Sequence, residues 1–241
     1  MITYDHISIP EATQMQLEMK EKIAIKPIGK KITTVAGADI SFNKFSTTVF
    51  AGIVVLSYPE MQLLSYSLVE VETTFPYVSG YLAFREVPSL LQAWEQLPEK
   101  PDVLILDGQG ITHPRKMGIA SHFGVLENQP TIGCAKSMLY GKFDDLGLEK
   151  NSSSPILGRG EMGRGELLGY ALRTKNAVKP IYISPGNLIT VEESLEVLRN
   201  CVGKYRIPEP TRIAHEMVNK FRVGALSAGY HIHKEEQHLL F

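Results

Sequence analysis

In the run Pro101-Asp102-Val103-Leu104-Ile105-Leu106-Asp107-Gly108, apolar residues follow one another without a break and the run closes on Asp-Gly. Such a run, bounded by turn residues, reads as a strand buried on both faces, the kind that sits inside a parallel sheet covered by helices. Upstream of it, residues 80–96 space Leu82, Phe84, Leu90, Leu91 and Trp94 for one helical face, and Pro88 lies early enough to kink that helix rather than forbid it. Downstream, residues 117–125 predict a short helix and residues 130–135 a second buried strand. Further upstream, residues 35–42, 47–58 and 62–71 carry strand patterns separated by Asn43-Lys44 and Tyr58-Pro59-Glu60. Successive strands joined by short turns make an antiparallel meander.

The remaining pattern completes an α/β chain. Residues 11–25 form an amphipathic helix ended before Pro27. Residues 143–164, with their glycines and Ser152 to Ser154, read as a long loop. Residues 169–173 and 179–184 predict two more strands, residues 191–198 a helix capped by Thr190 with Glu193, and residues 210–221 a last helix. Residues 225–241 read as a frayed tail on what is expected to be one domain spanning residues 1–241. The expected fold is α/β, a mixed sheet of three antiparallel strands followed by parallel strands, flanked by helices.

At 44% hydrophobic over 241 residues, the composition suits a substantial core. Lys plus Arg number 25 and Asp plus Glu 26, so the formal charge of -1 gives no global pull toward nucleic acid, and any such surface has to be local. One local excess runs through Arg159, Arg164, Arg173, Lys175 and Lys179 against Glu161 and Glu166, readable as a phosphate grip or as solvated loop charge. Cys134 and Cys201 lack CxxC spacing and are expected to be buried free thiols. No apolar stretch approaches the ~20 residues of a membrane span, and residues 1–10 lack a signal pattern, so a cytoplasmic protein with no membrane partner is expected.

Two carboxylates stand where packing does not want them. Asp39 interrupts an apolar strand, and Asp107 ends the run quoted above. An unpaired buried charge is costly, and a divalent cation reverses that penalty. Each also has a plainer reading, as a turn or bend residue. Glu86, beside Arg85, reads as a third acidic candidate or as half of a solvated helix pair. His215, one turn after Thr211, reads as a site residue or as an ordinary helical histidine.

Taken together, several segments resemble the endonuclease V family. They are Val35-Ala36-Gly37-Ala38-Asp39-Ile40-Ser41-Phe42, Pro76-Tyr77-Val78-Ser79-Gly80-Tyr81-Leu82-Ala83-Phe84-Arg85-Glu86, and Leu106-Asp107-Gly108-Gln109-Gly110 followed by His113-Pro114-Arg115. Gly118-Ile119-Ala120-Ser121-His122, Gly133-Cys134-Ala135-Lys136, Tyr182-Ile183-Ser184-Pro185-Gly186 and Pro208-Glu209-Pro210-Thr211-Arg212 follow in the family's order. The resemblance implies a ribonuclease-H-like fold. It implies Mg²⁺-dependent cleavage, with Mn²⁺ able to substitute, at the second phosphodiester bond 3′ to hypoxanthine, leaving a 3′-hydroxyl and a 5′-phosphate. The expected partner is inosine-containing nucleic acid, DNA favoured over RNA, bound by a monomer in DNA repair. By the same carry-over, Asp39, Asp107 and Glu86 hold metal, and Lys136 and His215 complete the catalytic set. Tyr77 would wedge into the gap left by a flipped base, and Gly80, Leu82, Gly108, Ile119 and Ala135 would line its pocket. His113 and His122 flank the pocket segment, and each reads as a substrate or phosphate contact or as a structural hydrogen bond rather than as a metal ligand.

The family's wedge is usually Pro-Tyr-Ile-Pro. Here Val78 is a mild change, whereas Ser79 removes a fixed φ and restores an N–H, so a less rigid loop is expected. That departure keeps open a second reading, a module that recognises inosine but cuts weakly or not at all.

Overall fold

The structure, a computed structural model, describes residues 2–44, 46–159 and 165–233. In chain order the elements are α1 (Ile9–Lys20), β1 (Thr34–Phe42), β2 (Thr48–Ser57), β3 (Leu63–Glu72), α2 (Leu82–Glu95), β4 (Val103–Leu106), α3 (Ile119–Glu127), β5 (Thr131–Ala135), β6 (Ser153–Leu157), β7 (Leu167–Leu172), β8 (Ile181–Asn187), α4 (Val191–Asn200), α5 (Glu209–Arg222) and β9 (Gly229–Ile232). The strands form one mixed sheet in the order β6-β7-β8-β5-β4-β1-β2-β3-β9. β4 is parallel to both β1 and β5, and every other pairing is antiparallel.

The centre of this sheet is the doubly buried run expected from its sequence. Leu104 and Leu106 face a core shared with α2 and α3, through Val87, Leu90, Trp94 and Phe123. Val103 and Ile105 face the other side, where Leu195 and Leu198 of α4 cover them. Period-two alternation with both faces apolar is what an interior strand requires. α5 covers Phe50 and Leu68 through Val218 and Phe221, on the same side as α4. α1 is fixed by a reciprocal capping box between Ser8 and Glu11 and ends at Lys20, earlier than its amphipathic pattern suggested.

Three expectations are corrected. Residues 143–164 are not loop throughout: Ser153 and Ser154 open β6, the edge strand, where Pro155 is tolerated because an edge strand can do without one N–H. Residues 225–241 are not all frayed, because β9 pairs with β3 through Ser65↔Ile232 to Leu68↔Gly229; residues 234–241 lie outside the described ones. Arg173 grips no phosphate. It is buried, and its guanidinium donates to the carbonyls of Gly147, Val178 and Leu146; residues 160–164 of that basic stretch lie outside the described ones. Cys134 and Cys201 are buried and unpaired. Among the described residues, no helix is long and apolar enough to cross a membrane.

Candidate active site

β1 runs past the end of β4, and the site forms at that step. Ala38 pairs with Leu106 in parallel register. The next residues on the two strands are Asp39 and Asp107, so their backbones lie about 5 Å apart, the spacing of neighbouring strands. Glu86 reaches the same point from α2. Asp39, Glu86 and Asp107, with Ile40, Leu90 and Ile119, line a small cavity of about 120 Å³.

A glycine makes room for the fourth member. At Gly37 a Cβ would come within 2.0 Å of the Pro210 carbonyl, so only glycine lets the start of α5 lie on β1. From there strand and helix keep step: His215 meets Asp39, and Asn219 meets Ser41 at 3.1 Å. Two strand residues advance about 6.7 Å and four helical residues about 6 Å, so the pairs stay matched. His215 Nδ1 lies 2.9 Å from Asp39 Oδ2, and Lys136, just past β5, makes an ion pair with Asp107.

Electrostatically the cluster is over-supplied with carboxylate. Burial pushes the Asp39 carboxyl up to about 6, helped by the charge of Asp107 and opposed by His215 and Lys136. Burial, then the charges of Asp39 and Asp107, push Glu86 up to about 8. Glu86 keeps some solvent contact through the cleft, yet protein surrounds it closely enough for desolvation to be the largest cause. Burial works to lower the Lys136 ammonium, but the charge and hydrogen bond of Asp107 together raise it. The Arg85 charge opposes the rise of Glu86 only in part, and Arg85 is not half of a solvated pair. It is buried and donates to the carbonyls of Phe75 at 2.7 Å and Ser46 at 3.1 Å.

These oxygens could hold a hard divalent cation. Mg²⁺ prefers oxygen donors and commonly takes only one or two carboxylates, filling the rest of its shell with water and phosphate. Among the described residues, no group of three or more His, Cys, Asp or Glu side chains is arranged to hold a metal ion by itself. Asp39 is turned to His215 and Asp107 to Lys136, while their mutual repulsion with Glu86 favours a cation between them. Donor type, shared cavity and excess negative charge fit an open site of that kind.

A cleft of about 330 Å³ opens beside the carboxylates. Tyr77, Gly80, Leu82, Gly108, Ile119 and Ala135 all line it, and it reaches Glu86, Asp107 and Lys136. Tyr77 is 65% exposed and so is not a turn aromatic packed into the core; its one described ring neighbour is Phe42, 6.3 Å away. His113 also lines the cleft, whereas His122 does not. His122 is fully buried on α3, bonded to the Tyr4 hydroxyl at 2.9 Å and edge-on to Phe84, so it flanks no pocket and is a core residue. Burial lowers its pKa to about 3, which keeps it neutral.

The floor of the cleft is held by a network that the sequence pattern did not reveal. The Gly80 carbonyl accepts from His113 Nε2 at 3.1 Å, Arg115 Nη2 at 3.1 Å and Gln16 Nε2 at 3.0 Å. Arg115 also donates to Gln16 Oε1 and lies over the Tyr81 ring at 4.5 Å. Burial, with the Arg115 charge, lowers His113 to about 4, so it is a neutral imidazole. Its Nδ1 accepts from the Arg115 backbone N–H, which leaves the proton on Nε2, facing the carbonyl. Gly80 itself has φ +82, which favours glycine, and a Cβ there would crowd Arg115. Gln16 is fully buried on α1 and gave no periodic signal; Gln109, Ser137 and Leu139 also line the cleft and were not expected.

Comparison with known proteins agrees with this geometry. The family model for Endonuclease V matches residues 17–216. The Endonuclease V of Myxococcus xanthus is 45% identical over 213 residues, covering 88% of each chain. The crystal structure of Endonuclease V from Streptomyces avermitilis superimposes with a TM-score of 0.83 at 33% identity, covering 92% of this chain and 96% of that one. Ciona intestinalis Endonuclease V, solved in complex with a 24mer DNA containing an inosine followed by a ribo-adenosine, gives 0.78 at 31% identity over 90% and 99% of the two chains. With its carboxylates at the β1–β4 step, Lys136 beside them and the adjoining cleft all within the matched span, the chain belongs to the Endonuclease V family, a family of nucleases.

Proposed function

We propose that this chain hydrolyses the second phosphodiester bond 3′ to a hypoxanthine base in DNA, leaving a 3′-hydroxyl and a 5′-phosphate, with Mg²⁺ as cofactor and Mn²⁺ as its substitute. The observation that carries the reading is the junction of a base-sized cleft with an over-acidic centre: Asp107 and Glu86 line both cavities. The inosine-bearing DNA held by the Ciona relative supports the choice of substrate.

Asp39 and Asp107 would hold the metal, with Glu86 nearby. A metal bound there would neutralise phosphate charge and lower the pKa of a water. His215 fixes one oxygen of Asp39 and so orients the carboxylate. Lys136, paired with Asp107, can turn its ammonium to the phosphate, where negative charge grows in the transition state. Tyr77 presents its ring to solvent at the mouth of the cleft, ready to fill the gap that a flipped base leaves. Small residues at Gly80, Gly108 and Ala135 let backbone groups approach the base edge, and donors facing O6 separate hypoxanthine from adenine, which carries an amino group there.

The test is a paired assay of inosine and matched adenosine oligonucleotides, single- and double-stranded, DNA and RNA, with Mg²⁺, Mn²⁺ or EDTA. Metal-dependent cutting of inosine DNA alone is expected. Equal cutting of both bases contradicts the base reading, and inosine-dependent retention without products under either metal marks the binding-module reading.

A further inference from the structure

On the far side of His215, a groove runs along α5 that the reading above does not use. Arg212, Asn219, Lys220 and Arg222 line it, and Tyr205, from the connection between α4 and α5, closes one side. The Tyr205 ring is 46% exposed, with the Arg212 guanidinium 4.9 Å and the Lys204 ammonium 5.2 Å from its centroid. Glu209 and Glu216 hold Arg212, and Glu216 also holds Lys220, so these cations are fixed in place. With Lys204 and Arg222, the cations outnumber the two carboxylates, in a chain whose overall formal charge is -1. Arg222 donates to Asn43 Oδ1 at 2.7 Å and ties the groove to the segment after β1.

The groove is continuous with the acidic centre, since His215 belongs to both. The cleft is walled by α2 and α3, which pack on one face of the sheet, whereas α5 packs on the other. A strand with one base in the cleft and its phosphate at Asp39 and Asp107 therefore has to leave the centre toward a different surface. A half-exposed aromatic ring with cations over it is the chemistry that binds single-stranded nucleic acid without reading its sequence.

We propose that the α5 groove receives the strand on the 3′ side of the cut, with Tyr205 stacking on a base and Arg212, Lys220 and Arg222 following the phosphates. This rests on the reading above, in which the hypoxanthine lies 5′ of the broken bond.

Two single-stranded inosine DNA oligonucleotides test it, identical on the 5′ side. One ends just beyond the expected cut, and the other extends well past it. Binding to the full chain is measured by fluorescence anisotropy in EDTA, so that the strand stays intact, with adenosine versions as controls. The wild-type protein is expected to prefer the long strand. Tyr205→Ala is expected to weaken binding of the long strand by roughly 5- to 150-fold, the value of one stacked base, and to erase the preference. Tyr205→Phe is expected to keep it. Wild-type affinity of Tyr205→Ala for the long strand, or an equal loss on both lengths, overturns the groove. Equal binding of inosine and adenosine by the wild-type protein overturns the base reading instead, while the long-to-short ratio still tests the groove.

Discussion

Around the Gly80 carbonyl three donors converge, from Gln16, His113 and Arg115, and each has a second partner holding it. Around Asp39 and Glu86 the reverse holds. There carboxylates crowd one another, burial pushes their protons on, and one lysine and one histidine answer only part of the charge. The two regions touch along the cleft, yet one is rigid because its polar groups are satisfied and the other is poised because its groups are not. Recognition of a base gains from preorganisation, whereas a centre that recruits a cation gains from repulsion that the cation relieves.

The largest effect should come from breaking the acidic region. Asp39→Ala and Asp107→Ala are each expected to lower cleavage by about 10³-fold or more, since several kcal/mol of charge stabilisation are at stake. Metal-free thermal stability should be retained, because each change removes repulsion. Single-turnover cleavage and a melting curve on the same sample check both halves; wild-type cutting by either variant breaks the contrast.

The satisfied region should respond in stability and selectivity together. Gln16→Ala leaves the Arg115 Nε–H without its described partner and removes one donor from Gly80. A loss of about 1–3 kcal/mol is expected for such buried groups, read by denaturant unfolding. A roughly tenfold rise in KM for inosine DNA, with kcat little changed, would show that the network positions the base and leaves the chemistry alone. A fall in kcat alone would contradict that division.

The smallest effect sharpens the contrast through pH. Glu86 has its folded-state pKa raised from 4.5 to about 8. The folded protein therefore holds that proton more tightly than the unfolded chain. Its favourable contribution is complete below about 4.5 and is lost as pH rises toward 8. Metal-free wild-type protein should lose stability across that window, and Glu86→Gln should flatten the slope, giving a higher Tm at pH 8 and a similar one at pH 4. An unchanged slope would mean that burial and the neighbouring carboxylates do not raise Glu86 as described.

Much of the acidic region was legible in sequence and little of the satisfied one was. Asp39 and Asp107 stand out because a carboxylate in an apolar strand has no packing reason to be there. Glu86 and His215 became readable only through family resemblance, since a helical Glu beside Arg and a lone helical His are common. Gln16 carries no such signal: a glutamine among glutamates and lysines looks solvated until α1 is seen to seat it under Gly80. For His122 the structural hydrogen bond holds and the substrate contact does not, because sequence proximity to the cleft residues does not show that its ring turns into the Tyr4–Phe84 core. β6 and β9 were missed because a short edge strand rich in serine or glycine gains its order from the neighbour it pairs with, and its own periodicity is too weak to announce it.

The central claim is that Asp39 and Asp107, brought together by the β1–β4 register, share one divalent cation. A crystal soaked with Mn²⁺ and measured for anomalous scattering tests it most directly. A peak within coordination distance of oxygens from both carboxylates is the result the account predicts. Full-strength data with no peak there, and the two carboxylates turned apart, would contradict it.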